Sequence, residues 1–346
     1  LIAKDVELAT PENPIKLDFI EDLAAGYSPE MTIQSGQAVR IMTGAPIPEG
    51  ADAVIMQEDT ERNGNSVQVK DKAEVRENIR DAGEDVREGE TVIRKGADLM
   101  PAHIGMMAVV GRSTALVGRR PQVAVLSTGD EVMDLDEPLS GPCIYNSNGY
   151  MLAAQIKSAG GIPSYLGIAR DNEKDLMEKF KWALQCDMVV SSGGVSVGDY
   201  DLVKTSLKKM GQEMLFWKVA MKPGKPLAFG RIDDVPIFGL PGNPVSSFVS
   251  FEQFVRPSIR KMMGATQLNH KSVQAKLTRT VYKKAGRQHF LSAYVNWENG
   301  ECTVSPTQEQ GSGILKSTVN ANGLLIFPLE LTEMTEGTEV TVQLLY

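Results

Sequence analysis

Between residues 119 and 265, short apolar runs alternate with amphipathic stretches, and this alternation restricts the fold more than any other feature. The runs at 123–126, 163–168, 188–191 and 236–240 are brief and apolar, as strands buried on both faces are. The stretches between them carry apolar residues at helical spacing: Leu152, Ile156 and Ala159; Leu176, Phe180 and Leu184; Val203, Leu207 and Met210. Asn148 and Asn172 are the expected N-caps, and Gly160-Gly161 and Gly211 the expected stops. Pro244 suits the first turn of a last helix, and Pro257 should strain or kink it. Strand and helix in regular alternation build a parallel sheet with helices on both faces.

The flanks read differently. Residues 7–83 are rich in Gly, Pro and acidic residues, with strand-like runs at 54–56 and 67–69 around the turn Asn63-Gly64-Asn65. They predict a small β-rich domain. Residues 84–118 hold a strand-like run at 91–94, a turn at Lys95-Gly96 and a helix opened by Pro101. That segment is too small to stand alone and should pack on a partner segment or a second subunit. Residues 266–346 return to strand-like runs at 273–277, 291–295, 324–327 and 340–345, as in a small barrel or sandwich.

A net charge of −8 over 346 residues argues against a general nucleic-acid binder, and no apolar run is long enough to cross a membrane. Cys143, Cys186 and Cys302 are isolated, which fits a reducing cytoplasm and disfavours structural zinc. His103, His270 and His289 are equally scattered, so any metal should be held by oxygen. The chain opens at Leu1 without Met or a signal-like segment, so targeting is not read from this end. It lacks the P-loop, dinucleotide, nucleophile-elbow and H-E-x-x-H patterns.

Four segments carry chemistry. In DMVVSSGGVSVGDYD (187–201) a strand runs into Ser191, Ser192, Gly193, Gly194 and Ser196, then Asp199, Asp201 and a helix. Strand, glycine loop and helix aim N–H groups at an anion, and carboxylates suit the cation that accompanies a phosphate. In FWKVAMKPGKPLAFG (216–230) an extended strand would set Lys218, Ala220 and Lys222 on one face and Trp217, Val219 and Met221 on the other. Pro223, Gly224 and Pro226 would hold Lys225 in a turn. Three ammoniums then converge near a strand end, where α/β sheets hold ligands; the plain alternative is a solvated basic face. LPGNP (240–244) makes Asn243 a cap for a helix whose free N–H groups, with Ser246 and Ser247, suit an oxyanion. STGDE (127–131) places hydroxyls and carboxylates after a strand. MTGAP (42–46) and AGED (82–85) would by themselves pass as turns.

Taken in order, RIMTGAPIPEGADAVIMQEDT (40–60), AGEDVREGE (82–90), VAVLSTGDEV (123–132), IYNSNGYML (144–152), SSGGVSVGDYD (191–201), KVAMKPGKPLAFG (218–230) and LPGNPVS (240–246) resemble the molybdopterin molybdenumtransferases of the MoeA type, which include the E domain of gephyrin. The resemblance implies a multi-domain α/β plus β fold. A doubly wound α/β molybdopterin-binding domain (119–265) would stand with a β-rich lid (7–83), a linker or dimerisation domain (1–6 with 84–118) and a C-terminal β-barrel (266–346). It implies an elongated cytoplasmic homodimer that inserts molybdate into adenylylated molybdopterin with Mg²⁺, releasing AMP and molybdenum cofactor. The adenylyltransferase that makes the substrate is an implied further partner.

By motif, Asp201 and Glu131 match acidic active-site positions that would hold Mg²⁺, and Lys222 and Lys225 match basic ones. Thr43 and Asp85 match residues that a neighbouring domain, of the other subunit, contributes. Ser127, Thr128, Gly129, Asp130, Gly193, Gly194, Ser196, Lys218, Pro241 and Asn243 would line the substrate. Ser246, Arg287 and Ser312 are weaker matches for oxyanion contacts. Two departures stand out. Relatives carry a long N-terminal helix and a S-x-M-D-G-Y-A segment, with a further aspartate, where Val6 here runs straight into Glu7. Leu291-Ser292 follows Phe290 where many relatives have a basic residue, which bears against Arg287. Two other readings are adenylyl transfer onto molybdopterin, disfavoured because such enzymes usually consist of the α/β domain alone, and a gephyrin-like scaffold.

Overall fold

The computed structural model describes residues 1–194 and 202–345. The chain divides into two compact units, Leu1–Val92 and Ile93–Tyr346.

In the first unit, β1 (Ile15–Leu23), β2 (Gln37–Ile41), β3 (Thr60–Asn63) and β4 (Ser66–Val69) form one sheet in the order β2-β1-β4-β3. The expected turn joins β3 to β4, with Gly64 at a φ of 62°. Leu17 and Val69 bury one face against Ala3, Val6, Ala9, Ala38, Ala53 and Ala73. Residues 1–6, grouped above with 84–118, thus contribute to this core. The run 54–56 is extended but is not a strand. Its backbone is satisfied locally, Val54 N–H donating to Glu77 O and Asn78 Nδ2 donating to Val54 O, so no ladder forms.

The second unit opens with a turn, not the strand expected at 91–94. Ala97 N–H donates to Arg94 O, and Gly96 O accepts from Thr266. Arg260 Nη2 holds Asp98 at 2.6 Å. Helix α1 (Pro101–Val109) follows, with Pro101 at its first position and none of its residues buried.

The α/β layer then runs β5 (Gln122–Thr128), the short pair β6 (Val132–Met133) and β7 (Ile144–Tyr145), α2 (Ser147–Ser158), β8 (Ile162–Ala169), α3 (Glu173–Ala183), β9 (Met188–Ser192), α4 (Leu202–Lys209), β10 (Glu213–Trp217), β11 (Met221–Lys222), β12 (Ala228–Ile232), β13 (Val235–Leu240), α5 (Pro244–Ser250) and α6 (Arg256–Met262). The sheet order is β10-β12-β13-β9-β5-β8. Alternate residues of β5 serve opposite faces. Val123 and Val125 meet Leu152, Ile156, Phe251 and Ile259 on one side; Ala124 and Leu126 meet Leu176, Phe180, Val203 and Leu207 on the other.

Three expectations need correction. The sheet is mixed, because β12 runs antiparallel to both of its neighbours, β13 and β10. Only Asp233 and Asp234 separate β12 from β13, with Asp233 at a φ of 51°, and two residues close a hairpin but not a crossover. Helix α2 is capped by Asn146, whose Oδ1 accepts from Gly149 N–H at 3.0 Å, and not by Asn148. Lys218 has a φ of 72°, which ends β10 and breaks the alternation predicted for Lys218, Ala220 and Lys222. The distortion expected at Pro257 is present, as a five-residue π-helical stretch, Phe251–Val255, between α5 and α6.

The chain ends in β14 (Ser272–Leu277), β15 (Val281–Tyr282), β16 (Gln288–Glu298), β17 (Glu301–Pro306), α7 (Lys316–Val319), β18 (Gly323–Phe327), β19 (Glu333–Met334) and β20 (Glu339–Leu344). The pairing β16-β17-β14-β20-β18 closes through β16–β18 into a five-stranded barrel, with β11 added beside β16. A separate apolar cluster of Met221, Val245, Phe248, Val249, Phe290, Leu324 and Leu345 joins α5 to the barrel.

Candidate active site

The four parallel strands lie in the order β13-β9-β5-β8. From β5 the chain steps to β8 on one side, and then to β9 on the other. The order therefore reverses between β5 and β9, and ligands of open α/β sheets sit beyond the carboxyl ends of strands at such a point. Thr128 and Gly129 end β5, Ser192, Gly193 and Gly194 end β9, and Pro241, Gly242 and Asn243 end β13.

These ends are tied together. Asn148 Nδ2 donates to Ser192 Oγ at 2.8 Å and to Gly242 O at 2.7 Å, so one α2 side chain fastens β9 to β13. Gly193 N–H donates to Leu240 O, and Thr128 Oγ1 to Ser192 O. Gly193 has a φ of 95°, and a Cβ there would stand 2.6 Å from Thr128 O. The N–H of Gly193 is therefore engaged, and its role is steric clearance rather than the anion donation expected from the glycine loop. Asn148 was legible above only as a cap. The one signal for more was a second asparagine two residues after the first, where a helix needs one.

Ser127 and Thr128 are buried. Ser127 Oγ donates to Asn146 Oδ1, and Asn146 Nδ2 to Tyr165 OH. Tyr165 donates in turn to Asp134, and its phenol is raised above its ordinary value by burial first and then by that carboxylate. Ser127 thus supports the strand end from behind. Asp130 accepts from Asp171 N–H at 3.1 Å, a loop-to-loop tie. Glu131 is exposed, and its carboxylate folds over Gly129, where a Cβ would lie 2.4 Å from Oε2. Asp201 and Ser196 lie outside the described residues.

The lysine turn packs on α5. Val219 N–H donates to Lys225 O and Lys218 N–H to Leu227 O, closing a narrow loop. Gly224, at a φ of 100°, approaches so closely that a Cβ would meet Ser250 Oγ at 2.5 Å and Ser246 O at 3.5 Å. Lys222 and Lys225 are both exposed on this loop, whereas Lys218 stands with its ammonium 5.9 Å from the Trp217 ring.

Asn243 occupies the N-cap position of α5 without capping through its side chain. Its Nδ2 donates to Ser312 Oγ at 3.2 Å, and Ser312 O accepts from Val245 N–H at 3.0 Å. One of the helix-start donors expected to serve an oxyanion is therefore engaged by Ser312. Ser246 is buried at the same turn. Arg287 and Lys222 both act on His289, together with Lys283, a residue the sequence reading missed. Thr43 and Asp85 belong to the first unit, in exposed turns.

Among the described residues, no group of three or more His, Cys, Asp or Glu side chains could hold a metal. Glu131 nonetheless offers exposed carboxylate oxygens at the end of β5. That donor type suits Mg²⁺, which binds through one or two carboxylates and substrate phosphates.

Family models match most of the chain: the MoeA N-terminal region (domain I and II) over residues 1–111, a "probable molybdopterin binding domain" over 124–261, and the MoeA C-terminal region (domain IV) over 274–345. Molybdopterin molybdenumtransferase 2 of Mycobacterium tuberculosis is 37% identical over 346 residues, covering 98% of this chain and 85% of that protein. The Haemophilus influenzae molybdopterin molybdenumtransferase is 39% identical over 316 residues, 89% of this chain and 77% of that one. The crystal structure of the molybdopterin biosynthesis MoeA protein from Pyrococcus horikoshii OT3 is similar with a TM-score of 0.82 at 33% identity, covering 99% of this chain and 85% of that one. On these grounds the chain belongs to the molybdopterin molybdenumtransferase family.

Proposed function

We propose that this enzyme inserts molybdate into adenylylated molybdopterin, with release of AMP and molybdenum cofactor, beyond the carboxyl ends of β5, β9 and β13. The transferase activity on molybdopterin follows from the family. The observation that carries the site is the fastening of β9 to β13 by Asn148, one strand from the β5–β9 reversal of the sheet order. Adenylyl transfer and scaffolding have no comparable support.

The chemistry proposed is electrostatic. Lys222 and Lys225 are ammoniums on a rigid loop, placed to hold oxyanions whose charge grows as the anhydride breaks. Gly193 and Gly194 let the end of β9 pack against Thr128 and Val203, since side chains there would strike both, and so shape the seat for the substrate. Glu131, with Asp201, would hold Mg²⁺, which when bound neutralises phosphate charge. The roles that the resemblance implies for Thr43 and Asp85 stay proposals.

A homodimer is also proposed. It is supported by α1 and the segment after it, where Ile104, Val109, Leu116 and Val117 are more than half exposed in the single chain. No helix among the described residues is long and apolar enough to cross a membrane; a cytoplasmic location and a supplying adenylyltransferase complete the proposal.

The test is to mix the protein with adenylylated molybdopterin, molybdate and Mg²⁺ and to follow AMP. Lys225→Ala should lose about 2–4 kcal/mol of transition-state stabilisation, roughly 30- to 1,000-fold in rate. Undiminished turnover would remove Lys225 from the mechanism, and ATP consumption without AMP release would favour adenylyl transfer.

A further inference from the structure

We propose that His289 makes oxyanion capture by Lys222, Lys283 and Arg287 proton-linked, the imidazole taking up a proton as a tetrahedral dianion binds. This rests on the assignment of Lys222 to the oxyanion site.

The geometry is a row of side chains across three strands. His289 on β16 is the Cα partner of Lys222 on β11 and of Phe327 on β18. Partners across neighbouring strands present their side chains on one face. The imidazole meets the edge of Phe327, with ring centroids 6.4 Å apart. Lys283 closes the other side, its Nζ 4.9 Å from the Phe327 ring centroid and donating to Leu329 O at 3.1 Å. Arg287 stands two residues before His289, in the bend that leads into β16, and acts on the ring electrostatically.

His289 is only 7% exposed. The charged groups that act on it are Lys222 from β11, Lys283 from the segment after β15 and Arg287 from its own segment, all cations, while β18 contributes the uncharged Phe327. Burial first, and then these three cations, lower its pKa to about 4. In the free protein the ring is neutral at pH 7 while three permanent charges surround it.

A dianion seated among those charges offsets the cationic part of what keeps the ring neutral, while the burial remains. Its field cancels that of the cations, and a protonated imidazole becomes a fourth donor. The linkage has a fixed sign. Protonation is suppressed in the free protein and partly restored in the complex, so affinity rises as pH falls from below about 6.5 toward about 4, by at most about tenfold per pH unit. Above that window it is flat. The ligand class is a tetrahedral oxyanion, either molybdate or a phosphate of the substrate.

Sulfate, which remains a dianion throughout, is the probe. Calorimetric titration of the full chain at pH 5.5, in two buffers of different ionisation enthalpy, should show net proton uptake on sulfate binding, and none at pH 7.5. His289→Asn should bind sulfate without proton uptake. With only three histidines in the chain, proton NMR can also follow the His289 ring directly, and saturating sulfate should raise its pKa by more than one unit. That measurement needs no variant. Absence of sulfate binding, binding without proton uptake in the wild type, or equal uptake in His289→Asn would each overturn the proposal. Displacement of sulfate by molybdate or by AMP tells which source the seat serves. AMP release scored separately keeps a failure of this linkage distinct from a failure of the transferase reading.

Discussion

Gly193→Ala should pry apart the ends of β5 and β9. The native φ of 95° costs an L-residue about 1–2 kcal/mol. The added Cβ would lie 2.6 Å from Thr128 O and 2.8 Å from Thr128 Oγ1, against an ordinary contact of 3.4 Å or more. Relief requires a shift of roughly 0.8 Å (3.4 − 2.6) between backbones that Ser127 and Ser192 hold in register. Such a shift endangers the bonds from Thr128 Oγ1 to Ser192 O and from Gly193 N–H to Leu240 O, each worth about 1 kcal/mol. Alanine returns about 0.4–1 kcal/mol by stiffening the unfolded chain. The net loss should be about 2–3 kcal/mol, a fall in Tm of roughly 4–10 °C by thermal unfolding, with AMP release reduced further because the substrate seat moves. Gly242→Ala is the matched control. It lies across the same junction, yet its nearest neighbour to an added Cβ is 3.8 Å away and its φ is not left-handed, so it should stay within about 0.5 kcal/mol of wild type. A Gly193→Ala protein with wild-type Tm and turnover, or equal losses in both variants, would refute the steric account.

Ile104→Glu combined with Val109→Glu should convert a dimer to a monomer by light scattering, with the unfolding of the remaining chain unchanged; an unaltered mass would remove α1 from the interface. His289 also predicts acid sensitivity. Its folded pKa of about 4 lies below the ordinary 6.5, so the unfolded chain binds the proton more readily between those values. The ring's contribution is complete above pH 6.5 and is lost on acidification toward 4. At 1.36 kcal/mol per unit the ceiling is about 3 kcal/mol. Denaturation midpoints at pH 7 and pH 4.5 should draw closer together in His289→Phe than in wild type.

The strands that carry the site were legible because β5, β9 and the end of β13 are buried on both faces, and such strands read as unbroken apolar runs. The antiparallel edge was not. AFGRI and EMLFW look like further strands, and only the two-residue link at Asp233-Asp234 reveals that AFGRI runs against β13. The alternation drawn through Lys218 failed for a local reason, a left-handed φ at a residue whose type gives no warning. β17 was missed because ECTVSP places only Val304 and Pro306 firmly inside. Asn148 eluded the site list because its partner Gly242 lies 94 residues away, and no periodicity encodes such a contact. Arg287 was recognised by motif, yet Lys283 and His289 beside it belong to no motif and became visible only when β11 was laid against β16.

The apolar seam between α5 and the barrel limits how this molecule can be cut. Val245, Phe248 and Val249 lean on Phe290, Leu324 and Leu345, and the lysine loop is threaded beside them through Met221. A shortened version ending near residue 265 would keep the six-stranded sheet of the α/β layer and still present bare hydrocarbon to water along α5, an invitation to clump. Domain exchange between such chains therefore has to carry the barrel and its docking helix as one piece.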